Sequence, residues 1–240
     1  LVASSSYRPD LEEQQIRSLL ARGADALMLI GFDRDPSVYE FLRRRGVPFV
    51  ISWAHDPKNP DPATGFDNRQ AMVDLTEHVL DLGHRSIAVI AAPQAENDRA
   101  RERVTGIMDA CRKAGLDTSA IPVIEVPYSI ENGRAAMTGL LNSSPRPTVV
   151  LCGNDVLAVG ALRATRAAGL DVPGDISITG FDDIELAEIV EPGLTTVHVP
   201  HRQMGTEAAR MIVALLGGEE LGKSSPLATR IVHRESLGPV

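Results

Sequence analysis

Seven short apolar runs recur along the 240 residues, with longer amphipathic stretches between them: LVA (1–3), ALMLI (26–30), FVI (49–51), IAVI (87–90), VIEV (123–126), VVLC (149–152) and ISIT (176–179). This alternation limits the fold more than any other feature. Runs so short and so uniformly apolar have the length of a strand and the composition of one buried on both faces. Between them, Ala71, Met72, Leu75, Val79 and Leu82 recur at helical spacing, as do Met204, Ala208, Met211, Ile212 and Leu215. Each set gives a helix with one apolar face. Gly23, Gly46, Gly83, Gly115 and Gly169 stand where such helices would stop, and Pro48 and Pro173 prevent continuation. Strands alternating with helices imply parallel sheets with right-handed crossovers, hence an α/β fold of doubly wound parallel sheets. After Gly180 the rhythm changes to an acidic patch, an isolated LTTVHV, one helix over about 201–216 and then LATRIVH. A chain that leaves one sheet and returns to another reads this way.

In such sheets ligands bind beyond the carboxyl ends of the strands. The residues there include Ser4 to Tyr7, Gly31 to Asp33, Ser52 to His55, Arg99 to Arg103, Tyr128, Asn154 with Asp155, and Asp182 with Asp183. Five of the nine aromatic residues, Tyr7, Phe32, Trp53, Tyr128 and Phe181, fall in these positions, which suits a stacking pocket. Plainer roles compete. Asn154 or Asp155 could cap the helix that follows, Asp182–Asp183 could begin a short helix, RARERV could be a solvated helix face, and Trp53 could belong to the core.

Composition excludes several classes of function. A net charge of −8 argues against this chain itself gripping nucleic acid, which needs a basic face to displace counterions. Cys111 and Cys152 lack CxxC spacing and the six histidines lack HExxH spacing, so neither a metal nor another cofactor is expected. The sequence contains no GxxxxGK[ST], GxGxxG or GxSxG motif, and no nucleophile stands beside a base at a recognisable spacing, so an enzyme is not expected. With no apolar stretch near the ~20 residues of a membrane span and no signal-like start, the chain reads as cytoplasmic, without a membrane partner.

Four fragments in order carry a resemblance: LDLGHRSIAVI; R-x-x-G at Arg103 to Gly106; GNDVLAVGALRATRAAGLDVPGDISITGFDDI; and PGLTTVHVPHRQMGTEAA. Together they resemble the effector-binding module of the LacI/GalR family of bacterial transcription regulators, over essentially the whole chain. The resemblance implies a type I periplasmic-binding-protein-like fold, with two α/β subdomains joined by three crossovers and a small effector, often a sugar, in the cleft. It implies an N-terminal subdomain of 1–83 and 198–217, a C-terminal subdomain of 84–192 and 227–240, and crossover segments at 193–197 and 218–226. Carried over by position, the effector contacts are Arg103, Tyr128, Asn154 and Asp182, with Asn97 and Arg99 at further contact positions; Trp53 joins them from its strand end. The family's DNA-binding headpiece and the first strand and helix of its N-terminal subdomain have no counterpart here. The chain is therefore expected to continue upstream, to reach operator DNA through that headpiece, and to act as a homodimer paired through about 155–168 and 184–192. The alternative is a periplasmic solute-binding protein of the same fold. "AAP" at 91–93 replaces the family's more usual small-Gly-Pro.

Overall fold

The structure, a computed structural model, describes residues 1–221 and 226–240. Residues 222–225 of the expected crossover 218–226 lie outside the described residues. In chain order the elements are α1 (Pro9–Ala21), β1 (Leu27–Ile30), α2 (Pro36–Arg44), β2 (Phe49–Ser52), β3 (Ala63–Thr64), α3 (Asn68–Asp81), β4 (Ile87–Ala91), α4 (Asp98–Lys113), β5 (Val123–Glu125), α5 (Ile130–Leu141), β6 (Val149–Cys152), α6 (Asp155–Ala167), β7 (Ser177–Thr179), α7 (Glu185–Ile189), β8 (Thr196–His198), α8 (His201–Leu216) and β9 (Arg230–Val232). The chain divides into two compact units, the first of residues 1–67, 95–99 and 200–228, the second of 68–94, 100–199 and 229–240.

The first unit carries a parallel sheet in the order β1-β2-β3, with Leu27 opposite Phe49 and Ile51 opposite Ala63. Alternation along β2 sends Phe49 and Ile51 to one face, where they pack with Leu27, Leu29, Ile16 of α1 and Val38 and Leu42 of α2. Val50 faces the other way, onto Ala208 and Met211 of α8. Helix α2 starts at Pro36, and the Asp35 carboxylate accepts from Ser37 N at 2.8 Å.

LVA does not form a strand: residues 1–5 carry no regular structure and Val2 is 99% exposed. The expectation failed because an apolar run becomes a strand only against a partner, and among the described residues β1 pairs with β2 alone. A groove of about 270 Å³ is lined by Ala3–Tyr7, Met28–Ile30, Ile16 and Leu19, among others.

The second unit holds a four-stranded parallel sheet, β5-β4-β6-β7, with Val89 of β4 between Val123 and Leu151. Its core unites Ile90, Val150, Cys152 and Ile178 of the sheet with Met137 and Leu140 of α5 and Leu157, Ala158 and Ala161 of α6. Helices α5 and α6 touch backbone to backbone: a Cβ on Gly133 would collide with Leu157 O, and one on Gly160 with Ile130 O. The apolar face of α6, expected at a two-fold interface, is thus buried inside the chain, while Ile189 of α7 is exposed. Helix α3, expected with the first subdomain, clusters with the second unit instead. The reason is local. Gly106 of α4 lies against the backbone of Arg69, the Arg69 guanidinium pairs with Asp109, and Lys113 pairs with Glu77. Strands β8 and β9 pair antiparallel and join the edge of β7 through single bridges, Thr179 to Thr195 and Asp182 to His198.

Candidate ligand site

The order β5-β4-β6-β7 sends the chain from β4 outward to β5, then back across to β6. Connections diverge between β4 and β6, and a crevice opens at such a switch point beyond the carboxyl ends. Arg103, on the second turn of α4, reaches it. Its Nε donates to Asn68 Oδ1 at 2.8 Å and its Nη1 to Gly153 O at 2.7 Å, just past the end of β6. Its Nη2 lies 3.5 Å from Asp182 Oδ1, and its guanidinium stacks 3.7 Å from the centre of the Phe181 ring. The side chain is almost wholly buried, so RARERV is not a solvated face at this position. A guanidinium fixed on one edge and backed by an aromatic ring keeps its remaining N–H groups aimed in a set direction.

The two acidic pairs divide their work. Asn154 is the N-cap of α6, its Oδ1 accepting from Leu157 N at 2.9 Å. Asp155 turns inward and is fully buried: Oδ1 accepts from the Thr196 hydroxyl at 2.6 Å and Oδ2 from Ile184 N at 2.9 Å, while its own N donates to Phe181 O at 2.8 Å. Burial pushes the Asp155 carboxyl up to about 7; the bonds from Thr196 and Ile184 oppose the rise, and Asp182 and Asp183 add to it. Asp182 and Asp183 both take positive φ, 107° and 57°, and neither caps α7, whose N-cap is Ile184. Asp183 accepts from His198 Nδ1 at 2.8 Å and from Arg234 Nη2 at 2.7 Å. Burial works to raise Asp183, but Arg234 and His198 together hold it below the usual carboxylate range. Tyr128, partly buried beyond β5, packs against the core of this unit.

The other three candidates belong to the first unit. Arg99 Nη1 donates to Asp98 Oδ1 at 2.6 Å and to Ile30 O at 3.2 Å, and its guanidinium carbon lies over the Tyr7 ring, 5.9 Å from the ring centre. It occupies the space where any side chain on Gly31, itself at φ 71°, would go. Asn97 is buried just before α4. Trp53 follows β2 at φ 71°, in edge contact with Phe66 and tilted against His201 at 5.0 Å.

Sequence reasoning passed over Asn68, Thr196 and Arg234, whose roles depend on partners 35, 41 and 51 residues away. Phe181 stood among the strand-end aromatics but was not singled out. Both thiols are buried and free, and burial drives each upward, Cys111 to about 11. Among the described residues no group of three or more metal-ligating side chains assembles. No described helix is long and apolar enough to cross a membrane.

The family described as periplasmic binding protein-like domain matches residues 76–237. The chain is 31% identical over 229 residues to the HTH-type transcriptional repressor CytR of Escherichia coli K12, covering 95% of this chain and 66% of that protein. It is 32% identical over 236 residues to the HTH-type transcriptional regulator CelR of Thermobifida fusca, covering 95% and 68%. The chain thus spans about two thirds of the length of these relatives. Among solved structures, transcription regulator GntR from Chromobacterium violaceum superposes with a TM-score of 0.92 at 28% identity, over 99% of this chain and 87% of that one. A LacI family regulator from Enterococcus faecium with bound ribose gives 0.85 at 25% identity, over 95% and 84%. The chain belongs to the periplasmic-binding-protein-like domains of the LacI family of transcriptional regulators, and corresponds to their effector-binding region.

Proposed function

We propose that this chain senses a small polyhydroxylated metabolite, a sugar or sugar derivative, and passes its binding on to operator DNA through a headpiece outside these residues. The observation that carries the reading is the Arg103 guanidinium, buried, backed by Phe181 and set 3.5 Å from Asp182 at the switch point of the second unit's sheet. A planar donor fork beside a carboxylate acceptor matches vicinal hydroxyl groups, which donate and accept at once. Asn154 and Tyr128 complete this unit's contacts; within the first unit, Asn97, Arg99 and Trp53 are the candidates we assign. The working protein is a cytoplasmic homodimer, not an enzyme. That its relatives are named as transcriptional repressors and regulators favours this over a periplasmic solute-binding role. Effector and DNA must then change each other's affinity by the same factor.

Calorimetry of the chain with D-ribose, D-glucose, D-gluconate and adenosine tests the reading. Saturable binding of at least one is expected, and Arg103→Ala should weaken it by about 1–3 kcal/mol, the cost of leaving polar partners unmatched. Absence of binding by all four, or unchanged affinity in the variant, counts against it.

A further inference from the structure

Asp155 is completely buried, yet it sits between the two elements that carry the candidate contacts Asn154 and Asp182. On its own helix it directly follows the N-cap Asn154. Through Oδ2 it holds Ile184 N, and through its backbone N–H it holds Phe181 O, so it grips both ends of the 181–184 turn. Through Oδ1 it holds Thr196 of β8, the strand whose His198 bridges to Asp182. A side chain on Gly180 would strike Asp155 Oδ1, so the close approach depends on that glycine. The turn it grips is strained: Asp182 and Asp183 are successive non-glycine residues at positive φ, a state that persists only where surroundings over-determine it.

We propose that Asp155 is a positioning residue of the ligand site: its carboxyl group ties the Asp182–Asp183 turn and β8 to the first turn of α6, and so fixes Asp182 against Asn154 and Arg103 without touching the effector. The proposal rests on the reading of Arg103, Asn154 and Asp182 as the effector's partners.

The geometry also makes the grip sensitive to protons. The charged and titratable groups facing Asp155 are Asp182 and Asp183 from the turn and the Cys152 thiol from β6. Behind the two aspartates stand Arg103 of α4, and Arg234 and His198 of the β9–β8 side. Neutral Asp155 can donate to Thr196 Oγ1 and still accept from Ile184 N, so both anchors survive. Ionised Asp155 adds a third negative charge beside Asp182 and Asp183 in a buried setting, where charges are poorly screened. Its value near 7 places this change at neutral pH. The sign follows: the folded value lies above the ~4 of an unfolded aspartate, so the contribution is full below ~4 and is lost as pH rises through about 7.

The test compares the wild-type chain with Asp155→Ala, Asp155→Asn and Thr196→Val between pH 5.5 and 8.5, reading amide-exchange protection over 181–184, corrected at each pH for the intrinsic base-catalysed rate, and, by calorimetry, the affinity for whichever of the four probes binds. Asparagine reproduces the neutral acid, accepting from Ile184 and donating to Thr196. We expect wild-type protection in the turn to fall and affinity to fall several-fold as pH rises through neutrality. Asp155→Asn should hold the low-pH behaviour across the range; Asp155→Ala should show fast exchange throughout and roughly tenfold weaker binding. Thr196→Val keeps the Ile184 anchor and should fall between, and it decides the matter if the alanine variant does not fold. Equal pH profiles for wild type and Asp155→Asn, or a protected turn in Asp155→Ala, overturn the proposal. If no probe binds the wild type, the effector reading fails, and exchange in the turn still decides the role of Asp155.

Discussion

Asn154 shows how one residue can serve stability and recognition together. Its carbonyl oxygen caps α6, which leaves its amide N–H groups for other work. The two roles separate by substitution, because serine caps a helix about as well as asparagine but lacks the amide. Asn154→Ala should lower the unfolding free energy by about 1 kcal/mol, while Asn154→Ser should leave it within about 0.5 kcal/mol. Both should weaken effector binding, and chemical denaturation alongside calorimetry measures the two effects independently. The sequence made the capping alternative visible but not which of Asn154 and Asp155 takes it. Either carboxylate or amide can accept from the backbone two or three residues on. The choice was settled by Thr196 and Ile184, which offer Asp155 partners in the interior, and by Gly180, which leaves it room.

At the scale of elements, the period of the apolar residues was enough to place β1, β2, β4, β5, β6 and β7 on the runs named for them, and α8 over His201–Leu216. Helix ends followed from glycine: Gly115 and Gly169 sit at φ 80° and 73°, just past α4 and α6. Strand β3, Ala63–Thr64, could not be read because two residues set in PDPATGF carry no period at all. Nor could the packing of α5 on α6, since GAL reads equally as a helix face bound for a partner subunit. In the structure Gly160 lies against Ile130 and Arg134, and Gly133 against Leu157, so the glycines set the distance between the helices. Gly160→Val should therefore cost about 3 kcal/mol or more, since overpacking against backbone has little room to relax. Gly139→Val, on the same pair of helices but with open space around it, should leave stability within about 0.5 kcal/mol of wild type, because valine's helix propensity slightly exceeds glycine's. Thermal unfolding of the two variants side by side checks the difference.

For the molecule as a whole, the fold class was legible because each unit repeats one supersecondary pattern, whereas the partition of the chain was not. Helix α3 continues the strand–helix alternation of the first unit in sequence, while the contact of Gly106 with Arg69 and the pairings of Arg69 with Asp109 and of Lys113 with Glu77 show that it packs with the second. Candidate contacts from strand ends were identifiable as polar residues at the right positions. Their supporting groups were not, because Asn68, Thr196 and Arg234 reach the site from other parts of the chain. The outer side of β1 carries a further consequence. Its row of backbone donors and acceptors meets no strand among the described residues, and the neighbouring Met28 and Ile30 are 49% and 41% exposed. An uncovered apolar edge is a template for another chain's strand. The 240-residue chain on its own should therefore form β-rich aggregates that seed at this edge as concentration rises. Ile30→Lys should raise the concentration at which light scattering appears while leaving the circular-dichroism spectrum of the soluble fraction unchanged; an equal onset for both would place the sticky surface elsewhere. On this account shelf life in solution is set by a single strand, and one charge beside it changes the storage behaviour of the whole preparation.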